Sequence, residues 1–401
     1  MAGRLSFPRA KGGPCAEGRL NQFFSLLEQP YSPPRFRDLS VSKLNLLLSN
    51  FRRRAADALA ASGTVARVAM NLRPVYSSWG GGNQWLTQTA RYLRGSGYSV
   101  RFDLKEEVDC ILITHFGLTG RTSFSLEELR EYVRAHPKVR VIHRVNDNDV
   151  RKQTGEMDRR LAQYDELAHH TVFISAWLRD YHAERWFDIH RPNSVIINGA
   201  EAGVFHPIGS AQWKTGEPFR LVTHHWSDNW LKGFKVYAEV DRLIAEKELR
   251  DVELWVVGRW PKEIQWRAAR TFEPLNGAPL AKLLRQCHAY LTGSLWEPGG
   301  MHFIEGAQCG LPVAYHEDGG GIVEVASRFG IGFRDDPGAA IRTLRDQYAH
   351  LRTAVLADPP SGDAMGLSYR SLIQQVLAGA VPCPASASEK QPEEARPAIV
   401  G

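Results

Sequence analysis

The stretch Leu291 to Glu324, LTGSLWEPGGMHFIEGAQCGLPVAYHEDGGGIVE, decides how this chain reads. Glu297 and Glu305 are separated by seven residues, with the turn Pro298-Gly299-Gly300 between them, and a second cluster, Gly319-Gly320-Gly321, follows. A short apolar run, Ala289 to Leu291, leads in. The pattern predicts strand, glycine turn, helix, strand, glycine turn, helix. Two helix N-termini would then open near one another at the ends of parallel strands. Each offers unpaired N–H groups and a partial positive charge, so the pair suits a diphosphate. A carboxylate beside such a site would instead take hydroxyls of a sugar or ribose, which donate to it in charge-assisted bonds.

Upstream, apolar runs alternate with helical stretches. Strands are expected at Ala66–Asn71, Cys110–Thr114, Val139–Arg144, Thr171–Ile174 and Val195–Ile197, with a helix at about Gln84–Arg94. A second set is expected at Arg220–Thr223, Val252–Val257, His288–Thr292 and Pro312–Tyr315. This alternation argues for an α/β chain built as two doubly wound parallel sheets. The expected organisation is a basic N-terminal extension over 1–64, a Rossmann-like domain over 65–205 and a linker over 206–218. A second Rossmann-like domain over 219–360, a helix over 361–380 and a Pro-, Ala- and Glu-rich disordered tail over 381–401 follow. Ligands of such open sheets sit beyond the carboxyl ends of their strands.

The ordered set Glu297, Glu305, Gly310-Leu311-Pro312-Val313 and Gly320-Gly321-Ile322-Val323-Glu324 resembles the donor-binding region of retaining, family-4-type glycosyltransferases with the two-domain GT-B fold. Asn198-Gly199 with Phe205 and Pro207 resembles that family's hinge, and Ser175 its preceding strand end. The resemblance implies two Rossmann-like domains facing across a cleft, with the final helix crossing back to the first. It implies transfer of a hexosyl group from a nucleoside diphosphate sugar to an acceptor hydroxyl with retained anomeric configuration, in glycan, polysaccharide or glycolipid synthesis. The donor would be a UDP-, GDP- or ADP-sugar, the acceptor a glycan or a lipid-linked molecule, and no cofactor is expected.

Site residues follow by the same resemblance. Lys232-Gly233 matches a Lys-Gly that neutralises the diphosphate, whereas Trp226 stands where the family has an arginine; a histidine or Arg259 is the expected substitute. Glu297 would hold sugar hydroxyls and Glu305 the ribose, with Gly299, Gly300 and Met301 lining the donor. Gly81 and Gly82, in Gly80-Gly81-Gly82-Asn83 after the first strand, would face the phosphates. That run lacks the spacing of a dinucleotide fingerprint and the Gly-Lys-Ser/Thr of a P-loop. His143 is expected near the donor sugar, with His115 second. Asp147-Asn148-Asp149 could hold a divalent metal, but is expected to be a helix N-cap, with no metal site. Competing functions are a non-catalytic sugar-nucleotide scaffold and a GT-B-fold epimerase or phosphorylase.

The 401 residues are 43% hydrophobic and 23% charged, as in ordinary globular chains. Eleven tryptophans could offer stacking surfaces for sugars. The five cysteines, Cys15, Cys110, Cys287, Cys309 and Cys383, lie too far apart to suggest a disulfide framework or zinc, which fits a reducing, cytoplasmic compartment. Residues 1–65 hold ten basic and four acidic residues, and so the whole net charge of +6. Leu44–Ala61 is helix-like, and would either dock on the first domain or hold the protein peripherally on an anionic membrane. No apolar run is long enough to span a bilayer, and the first residues lack a signal core. Aromatics do not interleave with the basic residues, which argues against nucleic acid.

Overall fold

The computed structural model describes residues 64–75, 80–114 and 122–379. The basic extension with its expected helix, the tail from residue 381, and His115 lie outside the described residues. In chain order the first lobe runs β1 (Arg67–Met70), α1 (Gly81–Gly95), β2 (Ser99–Arg101), β3 (Cys110–Ile113), α2 (Leu126–Ala135), β4 (Arg140–Val145), α3 (Asp149–Lys152), α4 (Met157–Asp165), β5 (His170–Phe173), α5 (Ala176–Ala183) and β6 (Asn193–Val195). The second runs β7 (Phe219–His225), a 3-10 turn (Trp230–Lys232), α6 (Phe234–Ala245), β8 (Val252–Gly258), β9 (Arg270–Phe272), α7 (Gly277–Leu284) and β10 (Ala289–Thr292). It continues through α8 (Met301–Gln308), β11 (Val313–His316), α9 (Gly321–Ala326), β12 (Gly330–Phe333), α10 (Pro337–Asp346) and α11 (Tyr348–Ala357) to the closing helix α12 (Gly362–Leu377).

Each lobe holds a six-stranded, wholly parallel sheet. The orders are β2-β1-β3-β4-β5-β6 and β12-β11-β10-β7-β8-β9. Central strands such as β3 (CILI) and β10 (AYLT) are buried at every residue, as strands covered by helices on both faces must be. Helices form where apolar residues recur at three and four. In α1 the inward face is Trp85, Leu86, Thr89, Ala90 and Leu93. Their ends carry local signals: a capping box of Ser125 and Glu128 opens α2, and Asp336 with Pro337 opens α10.

The closing helix α12 belongs to the core of the first lobe. Met365, Tyr369, Leu372, Ile373 and Val376 form one stripe against Val68, Trp85, Leu86 and Ile142. Tyr369 meets Trp85 edge to face, ring centroids 5.4 Å apart. The chain therefore enters the second lobe after β6 and returns at the end.

In the second sheet the strand order reverses between β7 and β10, where Leu221 pairs with Ala289 and Val222 with Tyr290. At such a point the loops leaving the two strands diverge to opposite faces and leave a crevice at their carboxyl ends. The segments 226–233 and 293–300 leave from there.

Candidate functional site

The loop after β10 carries Glu297 and is fixed by the loop after β11. Glu297 N–H donates to Gly319 O (3.2 Å), Gly321 N–H donates to Glu297 O (2.8 Å), and Trp296 N–H donates to Asp318 O (2.8 Å). The two glycine turns are thus paired. Gly320 has φ +67°, and a Cβ there would lie 2.7 Å from Glu297 O, so the pairing needs a residue without a side chain. Trp296, at φ +49°, pays the same conformational cost without glycine's freedom, directly before Glu297.

Lys232 arrives on the loop after β7. Its carbonyl accepts from Tyr237 Oη (2.8 Å) and Ser294 Oγ (3.2 Å), and Leu295 N–H donates to Leu231 O (2.9 Å). Gly233 turns the chain into α6 at φ +95°, where a Cβ would sit 2.3 Å from the Gly293 backbone. The result brings Lys232 Nζ to 3.0 Å and 3.2 Å from the two Glu297 carboxylate oxygens.

A third charge comes from the first lobe. Arg151, on α3, places Nη2 2.9 Å from Glu297 Oε2 and donates from Nη1 to Leu295 O (3.3 Å). Burial opposes the charge on Glu297, yet the Lys232 and Arg151 cations outweigh it and hold the carboxyl down at about 2. Burial lowers the Lys232 ammonium despite Glu297 beside it.

Glu305 lies one turn into α8, buried, with Oε2 2.8 Å from His224 Nε2; Oε1 meets no hydrogen-bond partner among the described residues. Tyr290 Oη lies 3.0 Å from the other ring nitrogen of His224 and is held protonated by burial. His225 bonds Tyr237 Oη (2.8 Å) and His302 bonds Thr292 Oγ1 (3.0 Å). Burial pushes both rings well below the ordinary histidine range, so they stay neutral near pH 7.

The first lobe closes directly on the glycine turns. Ser175 Oγ donates to Pro298 O (2.6 Å) and Asn198 Nδ2 to Gly299 O (2.9 Å). Ala176 N–H, at the start of α5, donates to Glu324 Oε2 (2.7 Å). Asn198 is itself held by the buried Arg144 (2.9 Å), whose guanidinium lies 4.2 Å from the Trp85 ring.

The structure therefore brings Lys232, Glu297, Gly299, Gly300 and Met301 together, with Glu305 behind them. Gly81, opening α1, faces Met301: a Cβ on it would meet Met301 Cγ at 2.7 Å. Gly82 lies nearer Asn146. No side chain caps the N-termini of α1, α6 or α8.

Three expectations are corrected. His143 does not reach the cleft: it is wholly buried on β4, its Nδ1 2.8 Å from Asp165 Oδ1, because the strand's alternation turns it onto the face that α4 covers. Arg259 is exposed and donates to Trp226 O (3.3 Å), so it does not join Lys232. The two glycine turns do not open two equivalent helix ends, since the first N–H of α9, on Gly321, is taken by Glu297 O. Within Asp147-Asn148-Asp149, Asn148 is the N-cap of α3, accepting from Arg151 N–H (2.7 Å). Asp147 pairs with Lys152 (2.9 Å), and Asp149 accepts from Met157 N–H (2.6 Å).

Arg151 escaped the sequence reading, and His224, one of the histidines before Trp226 expected to replace an arginine, instead pairs with Glu305. The capping signal at Asn148 placed a helix start just beyond β4, which sets Arg151 at the cleft, but nothing local linked it to a glutamate 146 positions away. Cys110, Cys287 and Cys309 are buried free thiols, and among the described residues no helix is long and apolar enough to cross a membrane.

Residues 222–349 match the family model described as Glycosyl transferases group 1. No curated protein matches the sequence. Among solved structures, sucrose-phosphate synthase from Thermosynechococcus elongatus superposes with a TM-score of 0.57 at 16% identity, covering 78% of this chain and 99% of that one. HepE of Anabaena, in complex with UDP-glucose, gives 0.58 at 13% identity, covering 77% and 100%. The catalytic domain of starch synthase IV from Arabidopsis thaliana, bound to ADP and acarbose, gives 0.56 at 10%, covering 79% and 100%. At these identities the likeness is one of fold. The parallel sheets, the cleft between them and these superpositions agree on one assignment: the chain has the GT-B fold, and residues 222–349 of its second lobe are similar to the glycosyl transferases group 1 family.

Proposed function

We propose that the protein transfers a hexosyl group from a nucleoside diphosphate sugar to an acceptor hydroxyl, with retention at the anomeric carbon. The observation that carries this reading is the pairing of Lys232 with Glu297 at the carboxyl ends of β7 and β10, where the strand order reverses. In the transfer, the bond from the acceptor oxygen to the anomeric carbon forms as the bond to the diphosphate oxygen breaks, and the acceptor proton passes to the departing phosphate. Negative charge grows on the diphosphate. Lys232 and the uncapped N-terminus of α8 would meet it in place, without reorganisation. Glu297 would hold sugar hydroxyls. Glu305 would accept from a ribose hydroxyl through Oε1, which has no hydrogen-bond partner among the described residues.

Support comes from fold neighbours that bind UDP-glucose and ADP. Closure by Ser175, Asn198 and Glu324 would exclude water and favour transfer over hydrolysis. The reaction needs no divalent metal in this reading, because a lysine and backbone N–H groups meet the diphosphate. A glycan or lipid-linked acceptor fits, and the basic extension would hold the protein on an anionic bilayer carrying it; sedimentation with anionic vesicles at rising salt tests that contact.

The deciding experiment is incubation with a panel of UDP-, GDP- and ADP-sugars, following released nucleotide, beside calorimetry with the three diphosphates. One base should bind and one sugar turn over, unaffected by EDTA. Binding without turnover on any acceptor would leave a sugar-nucleotide scaffold; no binding at all would remove the reading.

A further inference from the structure

The geometry points to Arg151 as a second cation of the diphosphate site, delivered by the opposite lobe; this rests on the transfer reading above. Among the described residues, the cations within ion-pair distance of Glu297 are Lys232, at 3.0 Å, and Arg151, at 2.9 Å. Lys232 and Glu297 alone cancel. A neutral pair offers little to a leaving group that carries at least two negative charges. Arg151 turns the cluster net positive.

The residues that sequence position would suggest do not supply this charge. Trp226, half-buried after β7, has none, and Arg259 is exposed and bonded to the Trp226 carbonyl. Arg151 is suited to the task. Its side chain is only 7% exposed, so its charge is weakly screened. A guanidinium presents a planar fork of donors that matches phosphate oxygens. Its backbone is fixed by the Asn148 cap, and Leu295 O takes one arm.

The origin of Arg151 also has a consequence. It sits on α3 of the first lobe, whereas Lys232 and Glu297 belong to the second. The positive cluster is complete only when the lobes are closed, as here. A diphosphate would thereby favour the closed state by its differential affinity, and a monophosphate, lacking the second group, would do so less.

This gives a readout that a purely structural latch would not produce. Affinities of the nucleoside diphosphate and monophosphate of the preferred base are measured by calorimetry for the wild type, Arg151→Ala and Arg151→Gln. The wild type should prefer the diphosphate. Both variants should lose about 10- to 100-fold of diphosphate affinity, the range for one charge-assisted bond. Monophosphate affinity should stay within about three-fold, because its contacts do not include the lost group. Added guanidinium ion should restore diphosphate affinity in Arg151→Ala. Equal loss for both nucleotides, or an unchanged ratio in either folded variant, would overturn the assignment while leaving the transferase reading intact. A wild type that binds no diphosphate would remove both.

Discussion

Arg151 and Glu297 stand 146 positions apart in the sequence, on different lobes, and meet at 2.9 Å across the cleft. Glu297 is also bonded by Lys232 from its own lobe, so one carboxylate joins the two halves of the molecule. That contact explains why Glu297 stays ionised although it is only 14% exposed.

Removing the charge from the two glutamates should separate their roles. Glu297→Gln should lower turnover by about 10- to 100-fold, since one charge-assisted bond to a sugar hydroxyl is lost. Diphosphate affinity should hold or tighten, because Lys232 and Arg151 are released. Glu305→Gln should instead weaken nucleotide affinity by about the same factor, because the buried carboxylate that pairs with His224 would face ribose. Steady-state kinetics and calorimetry on both variants check this; wild-type values in both place the site elsewhere.

Glu324 reaches across the cleft to the first N–H of the lobe-one helix that begins at Ala176. A carboxylate there gains from the helix dipole as well as the hydrogen bond. Glu324→Gln should shift the lobes toward opening, with a difference of about 1.5–3 kcal/mol in the closed state. Small-angle scattering should report a larger radius of gyration for the variant, and KM for the donor should rise. An unchanged scattering curve with unchanged KM would count against closure through this contact.

The closing helix should matter for the stability of the first lobe rather than the second. Ile373 is fully buried among Val68, Trp85 and Ile142. Ile373→Ala leaves a cavity and should destabilise by about 2–5 kcal/mol. Denaturant unfolding should show the loss, and hydrogen exchange should locate it in β1 and α1. Protection lost equally from β7 and β8 would mean the lobes unfold as one unit.

Stability should decline on acidification before the carboxylates titrate. Burial lowers His170, His182 and His288 from 6.5 to about 4, and depresses His225 and His302 in the same direction. The folded values lie below the unfolded ones. Each neutral ring's contribution is therefore present above pH 6.5 and lost as pH falls from there toward 4, at about 1.4 kcal/mol per unit of separation. Glu297 adds a later loss, between its ordinary 4.5 and about 2. Tm should drop steadily between pH 6.5 and 4; a flat Tm over that range would contradict the buried, neutral histidines.

What the sequence carried by itself was local and periodic. Buried central strands such as Cys110–Ile113 and Ala289–Thr292 read directly as apolar runs, and the glycine turns marked where those runs end. The three strands that escaped, Ser99–Arg101, Arg270–Phe272 and Gly330–Phe333, all lie at sheet edges, where one side faces no partner strand and the residues need not be apolar. Lys232, Glu297 and Glu305 stood out through the ordered motif that resembles a known family, and the structure sets all three beyond the carboxyl ends of β7 and β10. The tertiary structure decided the rest. It buried His143 on a helix-covered face of its sheet, took the first N–H of the helix at Gly321 with the Glu297 carbonyl, and set Arg151 against Glu297. Spacing within one segment can place a side chain beyond a strand, but which charge comes to meet it depends on how the two sheets close on each other, and no local pattern records that.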